Sequence, residues 1–280
     1  MSYKNILVYL NDAQKARRIV QHATEVTRAF EARLVGLHVL SPGRDGSGAH
    51  PRIQGLTFSR NEEAEHLRAI FEEVTNQSRV SGAFRQIVPH DHRPINIVIA
   101  RSFAADLVVA GQKSRDWMVS PMELPAHVIR ECGRPVLIVP EKGEGQALPQ
   151  KVIVAWNQQR EATRAIYDAL PLLRGASNIE LLLIKEAGGR ARLDGYSDQA
   201  LGAANDFVAA LAEHGVKPVI ATLKSSGAPI GHQICARVKD QRADLLVMGA
   251  YGQSPIRELL LGGPTHHVLS NMTTPTLFSH

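Results

Sequence analysis

The stretch Ala243-Asp-Leu-Leu-Val-Met-Gly249 closely repeats Ala105-Asp-Leu-Val-Val-Ala-Gly111, which lies 138 positions earlier in the chain. In both stretches an apolar run is introduced by Ala-Asp and closed by glycine. Two more pairs of segments recur at offsets of 146 and 140 positions: Lys4–Asn11 with Gln150–Asn157, and His127–Val139 with His267–Phe278. A period this long indicates a duplicated domain, because solenoid units repeat every ~20 to 50 residues.

The apolar stretches of each copy alternate with helical patterns. We predict strands near residues 5–10, 33–39, 83–88, 105–110 and 135–139 in the first copy, and near 151–156, 179–184, 217–222, 243–248 and 275–278 in the second. These runs are rich in Val, Ile and Leu, as expected for strands buried on both faces. Ser59–Glu62 resembles a capping box that opens a helix. The pattern predicts an α/β protein with two tandem doubly wound, five-stranded parallel sheets of Rossmann-like type. Residues 1–140 and 150–280 form the predicted domains, joined by a linker at 141–149.

The composition is that of a globular protein, with 44% apolar and 21% charged residues among 280. No apolar run reaches the ~18 residues that a membrane helix needs, and the N-terminus lacks the layout of a signal peptide. We therefore expect a cytoplasmic protein without a membrane partner. The net charge is +5, but the basic residues are dispersed and aromatics are only 5%. This distribution argues against nucleic acid as a partner.

The most informative loop follows the repeated strand of the second copy, in the sequence GAYGQSPIRELLLGGPT. Gly249 and Gly252 allow a sharp turn off the strand. Gly262-Gly263-Pro264-Thr265 then opens a helix, whose bare N-terminal amides attract anions. Pro264 removes one of those donors. Phosphate binding and a purely structural set of turns both remain open on these grounds.

With these residues the sequence resembles the universal stress protein family in its tandem two-domain form. Nucleotide-binding members of that family carry Gly-x2-Gly-x9-Gly-Ser/Thr after strand four, and Gly249, Gly252 and Gly262 match this spacing. The resemblance covers both copies and includes Trp156–Ile166 after the first strand of the second copy. This sequence departs from the pattern at Asn157, where ATP-binding members have Asp, and at Gly263, where they have Ser or Thr.

The resemblance implies that the second domain binds ATP or another adenine nucleotide, with or without Mg²⁺, and acts as a sensor or regulator in the stress response. The cofactor-binding residues that it implies lie at three strand ends and at the start of the last helix: Ala155, Trp156, Asn157, Ile184, Met248, Gly249, Gly252, Gly262, Gly263 and Thr265. Ala155 and Ile184 would contact adenine and Asn157 the ribose. The two glycines after the strand would shape the turn, and the last three residues would hold the phosphates.

The first copy departs further from the family pattern. Ser114 replaces the second glycine, and the third glycine position falls on Leu124 or Met122, depending on the register. Glu123 would place a carboxylate near any phosphate. We therefore expect a degenerate first domain that binds no nucleotide.

The sequence offers no catalytic or metal site that we would assign. It contains neither a Gly-x-Ser-x-Gly elbow nor a Walker loop, so we expect no enzyme activity beyond weak ATP hydrolysis. His90-Asp91-His92 lacks a third fixed ligand for zinc. Two alternatives remain: a non-nucleotide scaffold of the same fold, and an adenylyl-transfer enzyme, whose glycine-rich loop after strand one is missing here.

The last strand of each copy would leave an apolar edge. We expect Pro135–Val139 and Pro275–Phe278 to pair edge to edge in an intramolecular pseudo-dimer, since open apolar edges promote aggregation. A homodimer is compatible with this arrangement.

Overall fold

Strands and helices alternate within each half of the described chain, and β5 of the first half is followed directly by β6 of the second. The computed structural model describes residues 2–40, 54–89, 93–112, 125–143, 146–185, 198–252 and 263–280. The first half contains β1 (Asn5–Tyr9), α1 (Ala13–Ala29), β2 (Arg33–Val39), α2 (Gln54–Gln77), β3 (Gly82–Ile87), α3 (Pro94–Ser102), β4 (Leu107–Gly111), α4 (Ala126–Glu131) and β5 (Val136–Val139). The second half contains β6 (Lys151–Ala155), α5 (Arg160–Leu173), β7 (Asn178–Lys185), α6 (Asp198–Glu213), β8 (Val219–Lys224), α7 (Ile230–Gln241), β9 (Leu245–Gly249), α8 (Pro264–Asn271) and β10 (Thr276–Ser279).

Each half carries a parallel sheet of the predicted kind. The strand order is β3-β2-β1-β4-β5 in the first half and β10-β9-β6-β7-β8 in the second, and the pairs along both orders are parallel. The central strands are buried on both faces, whereas the edge strands β3 and β8 are half-exposed. This confirms the α/β class and the doubly wound parallel sheets. The linker at 141–149 and the pairing of the two last strands stay predictions.

One helix start differs from the prediction. The capping-box segment Ser59–Glu62 lies inside α2, which begins at Gln54. The helix packs through Ala64, Leu67 and Phe71, which are fully or almost fully buried. Tertiary packing of such an apolar stripe outweighs a local capping signal.

The repeated Ala-Asp-Leu sequence has the same structural role in both halves. Asp106 Oδ2 accepts hydrogen bonds from the two successive amides of Lys4–Asn5, at 2.8 and 2.9 Å. Asp244 Oδ2 accepts the amides of Gln150–Lys151 in the same way, at 3.0 and 2.9 Å. In each half the carboxylate therefore ties the start of the first strand to the start of the fourth, and it secures their register.

The end of β9 lies directly against the first turn of α5. A Cβ added at Gly249 would overlap the backbone nitrogen of Ala162 and would lie 2.7 Å from the carbonyl carbon of Glu161. Backbone atoms in a helix cannot move aside as a flexible side chain can. The close approach of this helix to the strand end therefore requires glycine at 249.

We predict that Asp244→Ala lowers the free energy of unfolding by about 2 kcal/mol, because it removes a charged acceptor from two backbone amides. Urea denaturation followed by circular dichroism measures the loss. Asp206→Ala, a change at an exposed position on α6, is the control and should stay within about 0.5 kcal/mol of the wild type. Equal stabilities for the two variants would contradict the structural role of Asp244.

We predict that Gly249→Ala destabilises the protein by at least about 2 kcal/mol, because the added methyl group forces α5 away from β9. Gly202→Ala is the matched control, since a Cβ at Gly202 meets nothing within 4 Å. That substitution in the interior of α6 should stabilise the protein by about 0.5 to 1 kcal/mol. Thermal denaturation measures both variants: the melting temperature should fall for Gly249→Ala and rise for Gly202→Ala.

Candidate functional site

The carboxyl ends of β6 and β9 lie side by side at the edge of the second sheet. Ala155 is in register with Met248 across the β6–β9 pair. From β6 the chain proceeds to β7 on one side, while β9 lies on the other side. The strand order reverses between such neighbours, and α/β proteins bind ligands in the crevice at that position.

The predicted adenine contacts come from two adjacent strands at this edge. Ala155 ends β6 and Ile184 is the penultimate residue of β7, and both are half-buried. β6 and β7 are paired in parallel, with Ala155 opposite Leu182. The fold therefore places Ile184 two residues beyond the partner of Ala155 along the neighbouring strand.

The side chain of Trp156 is buried and packs against other residues of the second half. Its ring stacks on Phe207 with centroids 4.7 Å apart and an interplanar angle of 17°. Its Nε1–H donates a 3.1 Å hydrogen bond to Thr163 Oγ1, and the residue is only 8% exposed. The indole thus joins α5 to α6, although the resemblance placed this residue among the cofactor contacts.

Asn157 is exposed at the sheet edge and also begins the turn into α5. Its side-chain Oδ1 accepts the backbone amide of Gln159 at 3.1 Å. Between them Gln158 adopts a φ of 61°, in the left-handed region that non-glycine residues visit rarely. Asn157 therefore stabilises this turn with its carbonyl oxygen and retains an amide group that can donate hydrogen bonds.

The start of α8 carries the rest of the predicted site. Gly263 is the N-cap residue and offers no side-chain cap, and Pro264 occupies the first turn. The buried hydroxyl of Thr265 accepts a 3.3 Å hydrogen bond from the amide of Tyr251. Thr265 therefore connects α8 to the segment after β9, and its hydroxyl remains available as a donor. Gly262, the third predicted glycine, lies outside the described residues.

A buried carboxylate lies next to the second glycine of the loop. A Cβ added at Gly252 would overlap Glu161 Oε1, so the carboxylate occupies the space beside the glycine Cα. Glu161 is 4% exposed, and its Oε1 has no hydrogen-bond partner among the described residues. The other oxygen lies 3.8 Å from Nε of Arg160, whose side chain is 91% exposed.

Sequence reasoning did not identify Glu161 as a component of the site. Its position in the first turn of α5 indicated only a favourable interaction with the helix dipole. Gly252 is distant in sequence, and only the parallel pairing of β6 with β9 brings the two residues together. The signal that could have identified Glu161 is its position: it is an acidic residue in the first turn of the helix that follows β6, and β6 ends at the edge where the ligand is expected.

Two histidines occupy the first turn of α8. Burial, followed by the charge of His267, lowers the pKa of His266. Burial, followed by His232, lowers the pKa of His267, and the rings of His232 and His267 meet edge to face at 5.9 Å. Both α8 imidazoles are therefore mainly neutral near pH 7 and contribute little positive charge to the site.

Several predicted features fall on residues that the structure leaves undescribed. These include the first-copy loop with Ser114, Met122, Glu123 and Leu124, and the His90-Asp91-His92 segment. Within the described ranges, no three His, Cys, Asp or Glu side chains are grouped so that they could hold a metal ion. None of the described helices is both long enough and apolar enough to cross a membrane.

Comparisons with known proteins agree with the fold and the duplication. No curated protein matches the sequence. Among solved structures, a universal stress protein from Archaeoglobus fulgidus DSM 4304 is 15% identical with a TM-score of 0.76, covering 98% of this chain and 95% of that chain. A functionally unknown protein from Pseudomonas aeruginosa PAO1 is also 15% identical, with a TM-score of 0.54, covering 99% of this chain and 92% of its own. The model of the universal stress protein family matches twice, over residues 2–140 and 149–280. Because these two matches together span nearly the whole chain, the protein belongs to the universal stress protein family.

Proposed function

We propose that the second half binds an adenine nucleotide in the crevice between the ends of β6 and β9 and serves as a sensor or regulator in the stress response. The observation that carries this proposal is the position of the crevice, at the point where the strand order of the second sheet reverses. Ligands of open α/β sheets bind at such points. ATP, with or without Mg²⁺, belongs to the proposed ligand class.

The phosphate end of the ligand would lie at the start of α8. The first-turn amides of a helix have no carbonyl partners within the helix and carry a partial positive charge. Gly263 adds no side chain in front of them. The hydrogen bond between Tyr251 and Thr265 holds the segment after β9 at this helix start. An anion approaching along that segment would meet the amide of Thr265 and its hydroxyl.

The base and the sugar would lie nearer to β6 and β7. The half-buried side chains of Ala155 and Ile184 supply apolar contacts at this edge. Asn157 is exposed beside them and can hydrogen-bond a ribose hydroxyl through its amide group. Asn brings no charge, so the ribose contact would be weaker than the one an Asp provides.

The same geometry provides an argument for a second candidate, a scaffold that binds no nucleotide. Gly249 fits against the α5 backbone and Gly252 against the Glu161 carboxylate. Both glycines therefore have a packing reason that does not involve a ligand. In this case the protein would act through its surface, as a cytoplasmic interaction protein or as a homodimer, without enzyme activity.

A titration with adenosine, AMP and ATP, followed by thermal shift and calorimetry, separates the two candidates. A ligand that binds only the native state must raise the melting temperature. We expect stabilisation of the wild type and about threefold to tenfold weaker binding by Asn157→Ala, since one hydrogen bond to the ligand is lost. The control is Asn178→Ala, at an exposed position where β7 begins, and it should bind like the wild type. Absence of stabilisation by all three ligands at millimolar concentration would favour the scaffold.

A further inference from the structure

We propose that the buried carboxylate of Glu161 sets the charge selectivity of this crevice. It makes the site favour adenine ligands with little negative charge, adenosine or a nucleoside monophosphate, over the triphosphate. This inference rests on the proposed function, since it concerns which member of the adenine class binds best.

The placement of Glu161 is the first step. The residue belongs to the first turn of α5, which follows β6, and its carboxylate fills the space beside Gly252, which follows β9. These are the two strands whose ends form the crevice. The Glu161 carboxyl group therefore lies against Gly252, where the loop along which the phosphates would run begins.

Few of the described groups would compensate the charge of this carboxylate in its ionised form. Oε1 has no hydrogen-bond partner in the described ranges. Among the described side chains, Arg160 is the cation close to the other oxygen, and its side chain is 91% exposed, so solvent screens its charge. Lys185 ends β7 at the same edge of the sheet, but its side chain is not described. In its ionised form this carboxylate would repel a nearby phosphate, and low-dielectric surroundings would strengthen that repulsion.

The net charge of the ligand determines how strongly an ionised Glu161 repels it. Adenosine is uncharged and does not interact with the carboxylate through net charge. A monophosphate carries up to two negative charges and a triphosphate up to four, so repulsion increases from one to the next. The lowered pKa values of the two histidines in the first turn of α8 reduce the positive charge that would offset this repulsion.

The steric consequence is separate from the electrostatic one. The carboxylate contacts the Cα of Gly252, so Gly252 can approach α5 more closely only if the Glu161 side chain moves. Glu161→Gln keeps the size and shape of the side chain and removes only its charge. This substitution therefore isolates the electrostatic contribution from the packing.

The experiment measures the dissociation constants of adenosine, AMP and ATP in EDTA, so that no divalent cation neutralises the phosphates. For the wild type we expect AMP to bind more tightly than ATP. In Glu161→Gln the ratio of the ATP to the AMP dissociation constant should fall by about tenfold, with adenosine affinity nearly unchanged. Glu213→Gln removes the same charge from an exposed position at the end of α6 and should leave the ratio unchanged.

A second variant covers the case in which Glu161→Gln fails to fold. Arg160→Gln removes a cation that lies 3.8 Å from the carboxylate and whose side chain is almost fully exposed. It should raise the same ratio by about twofold, the direction opposite to that of Glu161→Gln. An unchanged or lowered ratio in Arg160→Gln would overturn the proposal.

The outcomes separate this inference from the proposed function. If neither the wild type nor the Glu161 variant binds any of the three ligands, the proposed function fails. If adenosine and AMP bind but the wild type prefers ATP, or if Glu161→Gln leaves the ratio unchanged, nucleotide binding stands and the role of Glu161 is wrong.

Discussion

The contact between the first turn of α5 and the end of β9 is the constraint on which the candidate site depends. Gly249 lies against the backbone of Ala162, and this close approach fixes two features of the site. The strand end must be glycine, because no side chain fits between helix and strand. The same approach places the side chain of Glu161, in the first turn of α5, beside Gly252. The shape of the crevice and its charge thus have one physical origin.

The duplicated halves share the framework but differ at the corresponding strand end. Asp106 and Asp244 accept equivalent pairs of backbone amides. At Gly111, however, an added Cβ would meet the side-chain end of Ile19 in α1, 2.5 Å away, rather than helix backbone. A flexible side-chain end can yield where backbone cannot. The glycine that ends the fourth strand is therefore less strictly required in the first half, in keeping with a loop sequence that has diverged there.

Much of the site's placement could be predicted from the sequence, because strand ends in a parallel sheet follow from the order of the elements. Ala155, Asn157, Ile184 and Gly249 lie at the same edge of the second sheet for this reason. The roles of individual side chains were less predictable. The indole of Trp156 stacks between helices, which depends on the angle at which α6 packs and not on any local pattern.

The sequence by itself determined the duplication, the alternation of strands and helices, and the loops that reach the ligand edge, since apolar periodicity and repeated motifs are local properties of the chain. Only the tertiary structure decided what each polar group at that edge contacts. Thr265 meets the amide of Tyr251 across 14 positions, and Glu161 meets Gly252 across an even longer separation. Such contacts arise from the packing of a helix on a neighbouring strand, and their geometry, which sets both burial and charge, is not encoded in any short stretch of residues.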